Sequence, residues 1–335
     1  MDIATEPAAG AFLDPSLLRL SGLELLRAYL AGPERWAPIA HLTGMHPTRV
    51  DPGRATCVMP LSDWLCAAEG VISPAALIIP TDSALGSAIH TTLPPRTLYT
   101  TAELSMTWIH PVAPGGQVTA TGECVHSSPT LALSTARVTD DTGQLVAHAT
   151  ARCTVFPPLP EVPEPSDEPA PPDGPPDPYL RPLDAPVPPP DPTRSGRARL
   201  DAMRDGAAPR PPVDRLFAFA LEEVVDGSVT VAAPCSRWLC GPAGSLQGGV
   251  LAVLAHRAAS AAAETTVAAG SEVTAVDLKV NLLRPVPPSD ASLSARGEVT
   301  HRGRASVIAA ATVHNAEGRA VALLTATLTA SPPSG

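Results

Sequence analysis

The chain has 335 residues, 44% hydrophobic, 17% charged and only 3% aromatic, long enough for two domains that each bury a core. A formal net charge of −10, with no basic run and no interleaved aromatic platform, argues against nucleic acid, whose phosphates demand a basic face. No apolar run reaches the roughly 18 residues of a membrane span, and the start, MDIATEPAAGAFLDP, lacks a basic leader segment, so a cytoplasmic protein with no membrane partner is expected.

In chain order, residues 15–31 (PSLLRLSGLELLRAYLA) form an amphipathic pattern and predict a helix. A short strand, RATCVMPL, leads through a Trp-containing loop into an apolar helix from about 74 to 89. Pro80 interrupts that helix, and Asp82 is the ionisable group within it. Four segments follow with period-two alternation and Gly at the turns, TTAELSMTWIHP, GQVTATGECVHSS, LALSTARVTD and QLVAHATARCTVF. They predict antiparallel strands in a meander. One helix followed by a run of strands makes an α+β unit, the helix covering one sheet face.

Residues 157–192 hold 17 prolines among acidic and small residues. Such a segment cannot pack a core and predicts an extended tether at about 3 Å per residue. We therefore divide the chain into an N-terminal unit, 1–156, a Pro-rich linker, 157–212, and a C-terminal unit, 213–335. The second unit repeats the order, with SVTVAAP before a helix from about 248 to 263 and strands after it.

The two units are copies. GVISPAALIIPTDSA begins at Gly70 and GSLQGGVLAVLAHRA at Gly244, an offset of 174 (244 − 70). Residues 53–112 match 227–286 in one frame: Gly53 with Gly227, Pro60 with Pro234, Trp64-Leu65-Cys66 with Trp238-Leu239-Cys240. After one inserted residue GECVH (122–126) meets GEVTH (297–301). Each unit is too long for a solenoid repeat, so this is a domain duplication. The six cysteines show no CxxC pair and no zinc-type spacing, which predicts small buried side chains and no metal site.

The stretches GLELLRAYLAG…PIAHLTG, GSLQGGVLAVLAH and DLKVNLLRPV resemble the PaaI-type acyl-CoA thioesterases of the hotdog superfamily, over roughly 15–156 and 213–332. The resemblance implies a double hotdog: two tandem units, each an antiparallel sheet wrapped around a central helix, packed as an intrachain pseudo-dimer. It further implies thioester hydrolysis between units, with no cofactor beyond CoA as part of an acyl-CoA or acyl-carrier substrate. Sheet edges in such proteins often pair, which makes a homodimer of chains one expected assembly.

In that family one unit supplies a His-Gly-Gly helix start and the other an acid nine residues after its own His position. Here the halves are split. The second copy keeps Gly248 and Gly249, with Gln247 at the His position, but has His256 for the acid. The first copy keeps Asp82 but has Ser73 and Pro74 at the helix start, and proline has no N–H to offer. Pro74 reads instead as a first helical residue behind a Ser73 cap. The family's hydroxyl on the strand after the helix survives as Thr101 and is lost at Ala275; its usual Asn is absent from both copies, at Ala67 and Gly241.

The resemblance thus implies one composite site. Asp82 acts as base or nucleophile, Gly248 as oxyanion donor, and Thr101 and Gln247 as positioning groups, with Gly249 and Gly244 against the substrate. Ser73, Pro74 and His256 form a degenerate second site. Plainer readings stand beside these: Asp82 as a cap of a helix broken by Pro80, Gly248 and Gly249 as packing glycines, Thr101 as a strand former, Gln247 as a local cap and His256 as a neutral core histidine. Two other functions stay open, a non-catalytic acyl-thioester binding or scaffold protein and a hotdog-type enoyl hydratase or dehydratase that would need a His–Asp pair.

Overall fold

A computed structural model describes residues 3–32, 36–67, 71–164, 176–184 and 190–331; Gly70, the repeat partner of Gly244, lies outside them. Residues 15–31 do not form one helix. Asp14 caps a 3-10 turn, Pro15–Arg19, and the chain restarts at α1, Gly22–Ala31. Ser21 and Glu24 form a reciprocal capping box there, which fixes the entry of the helix.

A short helix α2, Pro38–Thr43, precedes a hairpin of β1, His46–Asp51, and β2, Arg54–Pro60. The expected helix opens as a 3-10 turn, Pro74–Leu77, and becomes α-helical as α3, Ile78–His90. Pro80 therefore sits in the first α turn, where a missing N–H costs little, and α3 is not broken. Ser73 precedes the turn but makes no side-chain cap. The first unit ends with β3, Tyr99–Trp108, β4, Gln117–Ser127, β5, Leu131–Thr139, and β6, Leu145–Val155.

The second unit repeats these elements as α4, Gly196–Arg204, α5, Pro212–Leu216, β7, Ala220–Val225, β8, Ser228–Pro234, α6, Gly248–Glu264, β9, Val273–Leu282, β10, Ser292–Arg302, β11, Ser306–Asn315, and β12, Ala320–Ala330. Helix α4 lies inside the expected linker, and α5 begins at its last residue, Pro212, so the second unit's elements start by Gly196. They are the counterparts of α1 and α2 at the offset of 174: Ser195 caps α4 as Ser21 caps α1. Gly196 N–H donates to the Val267 carbonyl as Gly22 N–H does to Leu93. The prolines between 157 and 192 hide this from composition, because a charged helix such as GRARLDAMR has no apolar run to announce it.

Among the described residues twelve strands form one sheet in the order β1-β2-β4-β5-β6-β3-β9-β12-β11-β10-β8-β7. The expected meander holds for β4, β5 and β6 but not for β3, which pairs with β6 instead of β4. Alternation tells which residues share a face, not which strands are neighbours. Between β2 and β3 the chain runs through α3, and this crossover carries it to the other side of the sheet. Inward residues of β6, Ala147, Ala149, Ala151, Cys153 and Val155, are buried while His148, Thr150 and Arg152 point out. The small inner residues let α3 and α6 pack close to the sheet.

The units join where β3 pairs antiparallel with β9, Glu103 opposite Asn281 through Thr107 opposite Asp277. Ser105 faces Lys279 at the centre, and the Lys279 ammonium lies 3.6 Å from the Glu103 carboxylate. Reciprocal crossings add to this seam. Ile39 N–H donates to the Cys240 carbonyl, and Val213 N–H, 174 residues on, donates to Cys66, both at 3.2 Å. The Trp238 indole donates to the Glu6 carbonyl at 3.1 Å, and the Trp64 indole donates to Arg181 at 2.7 Å. Arg181 also pairs with Glu6 at 2.7 Å. Residues 177–181 therefore dock on the first unit, which corrects the reading of the strap as a mere tether.

A protease site placed at residue 170 and cut after folding should leave the halves associated, since a shared sheet, packed helices and crossed arms make an obligate-type interface. Co-elution of both fragments on a sizing column at micromolar concentration is the expected result; separate peaks would contradict the pseudo-dimer.

Candidate active site

The N-terminal turns of α3 and α6 lie against each other, Gly249 beside Ile78 and Ile79, and this contact builds the site. Asp82, on α3, is buried, 7% exposed. Its Oδ2 accepts from Gly249 N–H of α6 at 2.9 Å, and its Oδ1 accepts from the Thr101 hydroxyl of β3 at 3.3 Å. The structure thus brings the first copy's acid to the second copy's glycine helix start. Burial pushes the Asp82 carboxyl above its ordinary value, while the hydrogen bonds from Gly249 and Thr101 pull the other way.

Gly248 is the first residue of α6, so its N–H has no acceptor within the helix. It lines a cavity together with Asp82 and Thr101. A Cβ at Gly248 would stand 2.5 Å from Leu282 Cδ1 and 3.2 Å from Asp82 Oδ2, so glycine keeps the gap between helix start and carboxylate open. Gly249, expected against substrate, instead donates to Asp82, and Gly248, whose N–H has no acceptor within the helix, is the residue of the pair that lines the cavity. Gln247 does not cap its own helix. Its amide crosses to α3, donating to the Ile79 carbonyl at 3.1 Å and the Ser83 hydroxyl at 2.8 Å. Gly244, also expected against substrate, does not line the cavity; its φ of +79° makes the turn before α6, with Phe12 packed beside it.

The other half-site is filled. His256 is buried, packed edge-on against Trp108 at 5.2 Å and beside Ser260. The Trp108 indole in turn donates to the Pro74 carbonyl at 2.8 Å. Trp108 is the repeat counterpart of Leu282 (282 − 174), so a large ring occupies what is open at the first site. Burial holds the His256 imidazole down to about 4.

The cavity, about 440 Å³, is walled mainly by the first unit and closed by the start of α6 and the end of β9 from the second, and the repeat shows why it opens on the first unit's side. In the second unit two ion pairs join the covering helices to α6: Arg199 with Glu264 at 3.1 Å and Asp214 with Arg257 at 2.9 Å. Their counterparts in the first unit are Leu25 with His90 and Ala40 with Ser83. All four of these residues line the cavity. No catalytic-type signal marks these four residues in the sequence; the offset of 174, which also holds upstream of residue 53, aligns both pairs.

The comparisons with known proteins agree with this architecture. A family model described as Thioesterase superfamily matches twice, over residues 69–147 and 243–322. No curated protein matches the chain. Among solved structures, a conserved hot dog protein of unknown function from Alicyclobacillus acidocaldarius aligns with a TM-score of 0.56 at 14% identity, covering 88% of this chain and 98% of its own. The tesB protein of Mycobacterium avium subs paratuberculosis gives 0.54 at 13% over 88% and 98%. A candidate thioesterase from Novosphingobium aromaticivorans gives 0.54 at 17% over 86% and 98%. The chain is a double hotdog, each unit carrying a thioesterase-superfamily match.

Because His256 is held near 4 in the fold against about 6.5 unfolded, the unfolded chain binds the extra proton between these values. The stability from the neutral imidazole is complete above pH 6.5 and is lost as pH falls toward 4. His256→Met should therefore show a smaller fall in melting temperature between pH 7.5 and 4.5 than the parent protein. An equal fall would mean that His256 is not held neutral by burial.

Proposed function

We propose that this protein hydrolyses the thioester of an acyl-CoA, or of an acyl carrier, at one composite site between its two hotdog units, in the manner of the PaaI-type enzymes it resembles. The observation that carries this reading is the Asp82 carboxylate held against the glycine start of α6 on the wall of a cavity. The superfamily match on both units supports thioester chemistry. The acyl group occupies the cavity, and its carbonyl oxygen accepts from Gly248 N–H at the positive end of α6.

Asp82 activates water as general base or attacks the carbonyl itself. In the first route Asp82 takes the proton as water adds to the carbonyl carbon. Collapse of the adduct breaks the C–S bond, and the proton passes to the departing thiolate. Negative charge on the oxygen is stabilised by a donor that needs no rearrangement. Thr101 orients the carboxylate. Gln247 ties α6 to α3 so that donor and acid keep their spacing. No metal or redox cofactor has a step in this route. A hydratase would need a His–Asp pair, and His256 is packed against Trp108 while Asp82 bonds Gly249 and Thr101.

Asp82→Asn should lower turnover by about 10²-fold or more, the scale for a general base. Its melting temperature should stay level or rise, since a buried carboxylate whose ordinary value is pushed up opposes folding near neutral pH. Thiol release from a panel of acyl-CoAs measures the first; unchanged release in a folded variant would remove Asp82 from the chemistry.

Gly248→Pro deletes the donor and also places a Cβ against Leu282 and the Asp82 carboxylate, and should cost about 3 kcal/mol or more of transition-state stabilisation. Pro74→Gly should change turnover little, because that helix start faces His256 and Trp108. Comparable losses in both variants would contradict a single live site.

A further inference from the structure

The cavity has two unlike walls. One is apolar, built from Leu18, Leu25, Leu26, Ile39 and Leu251. The other follows one face of α3 at helical spacing, Ser83, Ser87 and His90, and continues onto Tyr99 of β3. Positions 83, 87 and 90 share a face because they are four and three residues apart. Ser83 is engaged by Gln247. The Ser87 hydroxyl, the His90 ring nitrogens and the Tyr99 hydroxyl make no hydrogen bond among the described residues, although the His90 and Tyr99 rings lie 5.2 Å apart.

Polar groups withdrawn from bulk water are ordinarily paired, and an unpaired one costs free energy. Ser87, His90 and Tyr99 are half-buried, and they place donors and acceptors without a partner among the described residues along one wall of one cavity. The second unit supplies the control. There the His90 counterpart is Glu264, paired with Arg199, and the Tyr99 counterpart is Val273. The polar set belongs to the unit in which the cavity opens.

Resting on the thioesterase reading, we propose that the preferred acyl group carries a hydroxyl or keto oxygen on its distal part, hydrogen-bonded by His90 with Tyr99 and Ser87 beside it. His90 follows Asp82 by eight residues on α3, about 12 Å along the axis. An extended acyl chain covers that distance with roughly nine carbons. The imidazole is neutral, held down to about 4 by burial, so it can donate from one nitrogen and accept at the other. That suits an uncharged oxygen and not a carboxylate, whose charge would be stranded between Leu25 and Leu26.

The test compares decanoyl-CoA with 10-hydroxydecanoyl-CoA on the full chain, by thiol release, and the corresponding free acids by calorimetry. The hydroxylated thioester should show a kcat/KM about tenfold higher, the scale of one hydrogen bond to a withdrawn polar group. His90→Leu should erase that preference, bringing the kcat/KM ratio of the two thioesters to about one, and His90→Gln should restore part of it. Equal kcat/KM for both thioesters in the parent protein, or a preference that survives His90→Leu, overturns the inference. If neither thioester is hydrolysed, the thioesterase reading fails, and the free acids still decide. A His90-dependent preference for the hydroxy acid upholds the polar wall, and its absence overturns it.

Discussion

The hydrogen bond from Gly249 N–H to Asp82 is the constraint on which the rest depends. It joins the first turn of one copy's helix to a carboxylate buried on the other's, so it exists only when the two units are packed. Every larger feature serves that contact. The β3–β9 pairing sets the depth at which the helices cross, and the crossed arms around Trp64 and Trp238 hold the loops that lead into them. A buried carboxylate is costly when unpaired; here two donors meet it, and the free N–H of Gly248 remains beside it for an incoming oxygen.

Duplication lets the copies diverge in complementary ways. A symmetric pair must carry acid and donor in both copies, whereas a fused pair can divide them. The second unit keeps the donor and fills its core, replacing cavity by Arg199–Glu264 and Asp214–Arg257. The first keeps the acid and has neither pair. Removing both partners of a buried ion pair together is often close to neutral for stability, while removing one is costly. Each unit accordingly carries whole pairs or none, two ion pairs in the second and Leu25 with His90 and Ala40 with Ser83 in the first.

Much of this was legible in the sequence, and the reason is internal repetition. The constant offset aligned Gly248 with Pro74 and Asp82 with His256, so the split of the motif could be read without coordinates. The structure brings Asp82, Thr101, Gly248 and Gln247 together. What the sequence hid was of other kinds. Gly249 spends its N–H on Asp82, and Gly244 lies off the cavity, because a glycine's residue type does not say which way its N–H points. Helix α4 was obscured by the proline-rich stretch before it, and its charged sequence reads as linker. The place of β3 next to β6 and β9 follows from the path of α3, which alternation within a strand cannot encode.

The most direct test of a single composite site is the binding stoichiometry of a non-hydrolysable thioether analogue of decanoyl-CoA, measured by calorimetry on the intact chain. The account predicts one equivalent per chain. It also predicts none when Leu25→Arg, His90→Glu, Ala40→Asp and Ser83→Arg import the second unit's ion pairs into the first, with circular dichroism unchanged. Two equivalents per chain, or one that persists in the folded quadruple variant, would contradict it.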